Sequence, residues 1–312
     1  TPSIQSDVQG PSLVIKEDET GTVTFTANAA ATDVITKVTI GGLDAHASYV
    51  INGTTVAGSV GSYDVVFTTP LVQQTVTVVV TPPQDSDVDL SSLTATATAK
   101  DADHTDAGDP SVVSAPTTIP VVVDAVLDDA VALGGSPSTV TGTESTSASS
   151  YALGLTANVV HPFTYSGDGG ADTDGSEQGT ATVTLGAALP VGAAVSLAGT
   201  YTGSAQISVD PSDATKWTIS GFTDAADLKA AIGALQVTNL PAGFDGTISG
   251  TLAVSFAEAN AAGTVVASGA EPDATDDTYS SSQSFSLSIA AQVGTPSIQS
   301  DVQGPSLVIK ED

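Results

Sequence analysis

The sequence predicts an all-β protein of two tandem domains, each a sandwich of two antiparallel sheets, with one short helix in the second. Three observations carry that expectation. Hydrophobic residues make up 40% of the 312 residues. They are mostly Val, Ala and Leu with Thr and Ser between them, a mixture that favours pleated strands over helices. Short segments alternate apolar and polar residues with a period of two. Turn residues separate those segments at short intervals, as in antiparallel sandwiches.

The clearest alternating segments are Val23–Ala27, Val76–Thr81, Leu93–Ala99, Thr180–Leu185 and Ser284–Ile289. Each places Val, Phe, Leu or Ala on one face and mainly Thr or Ser on the other. Gly41-Gly42, Asn52-Gly53, Pro82-Pro83 and Asp245-Gly246 mark turns. One helix is expected from about Asp224 to Leu235, with Thr223 as its cap and Leu228, Ile232 and Leu235 on one face. It reads as a cover for the core. The stretch 187–222 does not divide readily into strands.

Residues 1–18 read TPSIQSDVQGPSLVIKED, and residues 295–312 repeat that segment at every position, a period of 294 residues. Chance does not produce such an identity, so the chain holds one complete repeat and the opening of the next. Weaker self-similarity divides the repeat. PSLVIKEDET at Pro11–Thr20 resembles PSTVTGTEST at Pro137–Thr146, and each half closes on an acidic loop and a strand. The expected organisation is a first domain at 1–125, a larger second domain at 126–294, and the start of the next copy at 295–312. An array of identical copies suits a spacer whose length is set by copy number. It gives little to an enzyme.

Asp and Glu total 35 against six basic residues, all Lys, for a formal charge of −29. Nucleic acid and membrane insertion are excluded as partners by that field and by the lack of a long apolar run. The opening residues lack the basic start and apolar stretch of a signal peptide, so the chain reads as a segment of a longer protein. There is no cysteine, hence no disulfide, thiolate metal site or thiol nucleophile. So many carboxylates on a folded chain oppose compaction unless cations bind them, and divalent cations do so best. Calcium takes six to eight oxygen ligands from carboxylates and carbonyls gathered on loops.

The acidic groupings supply candidates. Glu17, Asp18 and Glu19 open the first domain and Glu144 opens the second. DADHTDAGD offers Asp101 and Asp103, on one face if the strand continues, with Asp106 and Asp109 folding back from the loop. DAVLDD places Asp124, Asp128 and Asp129 at the inferred junction. GDGGADTDGSE offers Asp172, Asp174 and Glu177 among glycines, and the last loop holds Asp273, Asp276 and Asp277. Asp85, Asp87 and Asp89 form a further triplet that reads equally as a solvated hairpin end. Any one run is also a plausible solvated loop. Their recurrence where domain ends should meet favours several calcium ions, at junctions and in acidic loops.

Taken together, the opening Glu-(Asp/Ser)-x-Thr-like element, DTDGSE at Asp172–Glu177, Leu240-Pro241 and the acidic junction resemble the immunoglobulin-like or cadherin-like extender repeats of RTX-type bacterial biofilm adhesins. The resemblance covers essentially the whole chain, and DTDGSE is its most specific motif. It implies that Asp172, Asp174, Glu177, Glu144 and Asp128 bind calcium. It also implies that the ions stiffen the array, and that neighbouring repeats of the same chain are the partners of a monomeric stalk secreted to the cell surface, by the type I route. Two features depart from that pattern. The first domain has no DGSE, and GDGGADTDG is a single imperfect copy of the RTX nonapeptide, too little for a stacked β-helix.

Catalytic signatures are missing. His46, His104 and His161 have no HExxH or other paired ligand spacing; His104 stands among aspartates and could join a metal site, but a surface role is expected of it. There is no GxSxG and no phosphate-binding loop. Crowded carboxylates suit cations better than the isolated, apolar-walled acid of a glycosidase. Trp217 is expected in the second core. The function expected is that of a non-enzymatic calcium-stiffened extender, and a domain gripping sugar, protein or ice is the alternative.

Overall fold

The structure is a computed structural model, and it describes residues 1–84, 86–104, 108–163, 178–258 and 275–292. Asp85, Asp106, Asp172, Asp174, Glu177 and Asp273, together with the second copy of the opening segment, lie outside the described residues.

The first part of the chain forms β1 (Ser3–Ser6), β2 (Leu13–Lys16), β3 (Gly21–Asn28), β4 (Asp33–Gly41), β5 (Ser48–Ile51), β6 (Thr54–Ala57), β7 (Ser62–Leu71), β8 (Gln73–Thr81), β9 (Leu90–Asp101), β10 (Val112–Val113) and β11 (Thr117–Asp124). One sheet has the order β1-β3-β8-β5-β6 and the other β2-β11-β9-β4-β7, with β10 on β9. Pairing is antiparallel throughout except between β2 and β11. Inward residues of both sheets make one core, from Ile4 through Phe25, Ile35, Tyr49 and Leu93 to Val123. The segment between β1 and β2 carries the chain from one sheet to the other through Gly10 and Pro11, where a missing N–H costs no ladder bond.

Turn chemistry follows the expected residues. Asn52 and Gly53 both have positive φ, 47° and 80°, as a two-residue hairpin between β5 and β6 requires. Asn52 Oδ1 also accepts the Thr77 N–H at 2.9 Å. Gly42 has φ 73°, and a Cβ there would lie 2.0 Å from the Ser92 carbonyl oxygen. Asp44 fastens the loop after β4: it accepts from His46 N and from Ser91 N and Oγ. Those bonds, the His46 N–H first, hold its pKa down at about 2 against the opposing effect of burial.

The second part contains β12 (Ala130–Leu133), β13 (Ser138–Thr143), β14 (Ser149–Ala152), β15 (Ala157–Val160), β16 (Gln178–Leu185), β17 (Ala194–Leu197), β18 (Gln206–Asp210), β19 (Asp213–Ser220), α1 (Ala225–Gly233), β20 (Leu235–Leu240), β21 (Gly246–Ala257) and β22 (Thr278–Ala290). Its large sheet has the order β13-β22-β21-β16-β19-β18, faced by β14-β20-β17 and the pair β12-β15. The core runs from Leu127 to Ile289, with Trp217 packed at its edge. The helix covers this core by burying Leu228, Ala231 and Ile232 against β12 and β15. Asp224 rather than Thr223 is the cap, its Oδ1 accepting from Asp227 N at 2.7 Å. Leu235, expected at the helix end, opens β20 instead and is still buried. The stretch 187–222 resolves into β17, β18 and β19.

Both sandwiches share one device, in that the first strand of the large sheet runs parallel to the last. Lys16 lies beside Asp124, and Thr143 beside Ala290. The chain therefore enters and leaves each sandwich at opposite ends. Ser3 pairs with Asn28 at the far end of β3, whereas β11 ends beside Lys16. β22 begins next to the first sandwich and, 13 residues long, ends about 40 Å away at about 3.3 Å per residue step.

Because the two cores are separate, Phe25→Ala is expected to destabilise the first sandwich by about 3–5 kcal/mol. Urea unfolding should show an earlier transition for that half while the fluorescence of Trp217 reports an unmoved second one. A shared shift of both would contradict two independently packed cores.

Candidate metal centre

The segment between β11 and β12 is not a solvated hinge. Asp124, Ala125, Val126, Leu127 and Asp128 are buried, the last at 5% exposure and the others at 1% or less. A buried linker must satisfy its backbone groups. The Asp124 carbonyl accepts from Glu17 N at 2.9 Å, Val126 N donates to Glu17 Oε1, and Leu127 N donates to the Asp276 carbonyl at 3.1 Å. Glu17 stands at the end of β2 in the first sandwich and Asp276 immediately before β22 in the second. The linker is thus clamped from both sides.

The clamp lines the joint with carboxylates. Glu17, Asp124, Asp128, Glu258, Asp276 and Asp277, six in all, are each more than nine-tenths buried along this joint. Glu258 N donates to the Asp277 carbonyl at 2.9 Å, which ties the end of β21 to the start of β22. Asp18 sits in a left-handed turn at φ 60°, closed by the Glu19 N–H on the Lys16 carbonyl. Asp129 is partly buried, with His161 Nδ1 at 2.8 Å from its Oδ1. Lys16 brings an ammonium to the cluster: it contacts Asp276 Oδ2 and lies 3.6 Å from Asp124 Oδ2. Among the described residues Lys16 is the ammonium seen in contact with this cluster, and so many carboxylates concentrate negative charge in a place where water screens it poorly.

The expected groupings separate into three sets. Glu17, Asp18, Glu19, Asp124, Asp128, Asp129, Asp276 and Asp277 fall at this joint. Asp101, Asp103 and Asp109 lie at the opposite end of the first sandwich, the first two exposed and Asp109 partly buried. There β9 stops at Asp101, and Asp103 N turns back onto Asp101 Oδ1 at 2.9 Å, so the two do not share a strand face. His104 there is exposed, 3.7 Å from Asp101. Glu144 is at the far end of the second sandwich, its N–H on the Ala290 carbonyl at 2.9 Å. Asp89 of the QDSDVD triplet accepts the Val123 N–H at 3.0 Å, just beyond the last pair of β11 with β9, Val121 with Leu90.

Among the described residues, no three acidic or imidazole groups converge as a ready-made cage. The donor set nevertheless has the chemistry of a hard cation: carboxylate oxygens with backbone carbonyls between them and no sulfur, which suits calcium and not a soft metal. Two participants escape sequence reasoning. Glu258 follows an alternating strand with no acidic neighbour, and Lys16 looks like a solvated strand residue. Only the parallel pairing of β2 with β11 brings Lys16 beside Asp124.

The chain matches no known protein family and no curated protein. Among solved structures it is similar to the C-terminal domain of the Streptococcus agalactiae AgI/II polypeptide BspA, at 10% identity over 92% of this chain and 100% of that one, with a TM-score of 0.25. It is similar to the fibronectin(III)-like modules of Clostridium thermocellum CbhA, at 11% identity over 93% and 95%, with a TM-score of 0.22. It is also similar to EC1-2 of the human mucin-like protocadherin, at 14% identity over 92% and 99%, with a TM-score of 0.28. At those scores the likenesses carry no weight, and the all-β architecture rests on the strand pairing described above. Among the described residues no helix is long and apolar enough to cross a membrane.

Lys16→Met is expected to destabilise the chain in EDTA by about 3 kcal/mol, because it strands buried carboxylates without their ammonium. Urea denaturation measures this; an unchanged midpoint would mean that the carboxylates do not depend on Lys16.

Proposed function

We propose that the chain is a calcium-rigidified extender, a non-catalytic stalk repeat of a large bacterial surface adhesin that holds an adhesive tip away from the cell for attachment and biofilm formation. The observation that carries this reading is the joint, a buried linker between two sandwiches with six buried carboxylates contributed by both sides and by the linker itself. Calcium held by Glu17, Asp124, Asp128, Glu258, Asp276 and Asp277 supplies the positive charge that the cluster calls for and removes the freedom of the hinge. The opposite placement of the two chain ends in each sandwich suits serial extension, and the exact repeat suits a length set by copy number.

Calcium of this kind acts outside the cell. Extracellular modules bind it with dissociation constants of about 10⁻⁴–10⁻³ M, so a stalk would stay loose before export by the type I route and stiffen afterwards. At a dissociation constant of about 10⁻⁴ M, about 10 mM calcium adds about 2.7 kcal/mol per ion.

Small-angle X-ray scattering and thermal melting of the whole chain, in EDTA and then in millimolar calcium, test the reading. Calcium should raise the melting temperature and convert a flexible profile into that of one elongated particle of fixed dimensions. If neither quantity changes, calcium stiffening is wrong.

A further inference from the structure

The repeat supplies two identical claimants to one pair of strand positions. Residues 295–312 match residues 1–18 at every position. In the first sandwich residues 1–18 hold β1 and β2, and each is the outermost strand of its sheet, β1 on β3 and β2 on β11. Releasing them breaks no pairing in the interior of either sheet. The segment gives the core only Ile4, Leu13 and Ile15, with Val8 packed against it. Its connector is exposed at Asp7, Gln9, Gly10 and Pro11, and borders an open groove that Thr22 and Val122 also line.

The bonds that fasten the segment are bonds the copy can make equally. Asp7 N donates to the Thr24 carbonyl at 3.1 Å, Asp7 Oδ1 accepts from Thr24 N at 2.8 Å, and the Ile4 carbonyl accepts from Thr117 Oγ1 at 2.6 Å. Ile298 and Asp301 stand in the copy where Ile4 and Asp7 stand here. Replacement of one segment by the other therefore leaves the contacts unchanged, as when an identical element passes between protomers at low cost. The copy cannot reach the strand positions of its own molecule. Ser297, the equivalent of Ser3, would have to lie beside Asn28, at the end of the first sandwich remote from the joint. β22 leaves Ala290 about 40 Å beyond the joint, and the seven residues from there to Ser297 span at most about 25 Å.

We propose that the opening segment is an exchangeable element by which copies of this chain join: residues 295–312 of one molecule take the places of β1 and β2 in the first sandwich of another. The partner is a second copy of this chain, and the contact is head to tail. Donor segment and acceptor sandwich lie at different places on the molecule, so the contact is heterologous and propagates from chain to chain. Exchange also carries Lys310 and Glu311 to the positions of Lys16 and Glu17, so that a second chain completes the acidic joint. In an array every opening segment matches every first sandwich, which gives neighbouring stalks a means of cross-linking. The inference goes beyond the calcium reading and does not depend on it.

Light scattering on the full chain in EDTA, after concentration and warming to just below the onset of melting, measures the joining. Dimers and larger species are expected, in a share that grows with protein concentration. Ile298→Asp with Leu307→Asp alters only the copy, leaves residues 1–292 as they are, and should return the chain to monomer. A disulfide locates the contact. Gln5 faces Thr26 across β1 and β3, and directly opposed residues of an antiparallel pair stand about 4.5–5.5 Å apart at Cα, within reach of such a bond. Gln299 is the copy's equivalent of Gln5, and the chain has no cysteine of its own. The full chain carrying T26C and Q299C should therefore give, on oxidation, a ladder of covalent oligomers on a non-reducing gel. Monomer at every concentration overturns the exchange. So does a set of oligomers that survives the two aspartates, or a T26C, Q299C bond that closes within one molecule. Because calcium is absent throughout, none of these failures touches the calcium reading.

Discussion

Everything in this molecule that bears on function follows from the burial of a short linker rich in carboxylates. Between two sandwiches one expects a solvated, flexible connection. Here the segment from Asp124 to Asp128 is covered, with the Asp124 carbonyl and the Val126 N–H taken up by Glu17 on one side and the Leu127 N–H by Asp276 on the other. Burial fixes the backbone but concentrates negative charge. The arrangement is tolerable as far as cations come to it, and Lys16 supplies one charge. In the proposed reading joint geometry and cation binding are thereby coupled: a cation that neutralises the carboxylates also holds the two sandwiches in register.

That coupling depends on the parallel pairing of β2 with β11. The sandwich would close without it, since β9 and β11 already form an antiparallel edge. What the parallel strand adds is position. It carries Lys16, Glu17 and Asp18, near the start of the chain, to the end where the chain leaves the sandwich. Residues some hundred positions apart in sequence thus meet at one joint. β13 and β22 repeat the device with Glu144 in the place of Glu17 but with Thr143 in the place of Lys16 and Ala290 in that of Asp124.

Much of the fold was legible in the sequence because it follows from period and turn chemistry. β3, β8, β9, β16 and β22 lie where alternation placed them, Asn52-Gly53 makes its hairpin, and the helix buries Leu228 and Ile232. The helix cap moved by one residue because an Asp at 224 outcompetes Thr223 for the Asp227 N–H. The stretch 187–222 was opaque because β18 is the sheet edge and shows no clean alternation, while the inward face of β19 alternates but is mostly only partly buried. Glu17 to Glu19 read as opening the first domain, and sequence order alone could not reveal that a parallel strand delivers them to its far end. Lys16 was invisible for the same reason, since it gains its role from Asp124 and Asp276, more than a hundred residues away, whereas Glu258 is tied to the joint by its N–H on the Asp277 carbonyl. The motif with the most specific resemblance, Asp172–Glu177, lies outside the described residues.

Calcium titration calorimetry on the whole chain, beside an Asp128→Asn, Asp276→Asn double variant, tests the central claim most directly. Neither residue belongs to a hydrophobic core, and circular dichroism can verify that the variant keeps its β-structure. The account requires at least one calcium-binding event in the parent chain that the variant loses. Identical isotherms for a folded variant would contradict the assignment of calcium to this joint.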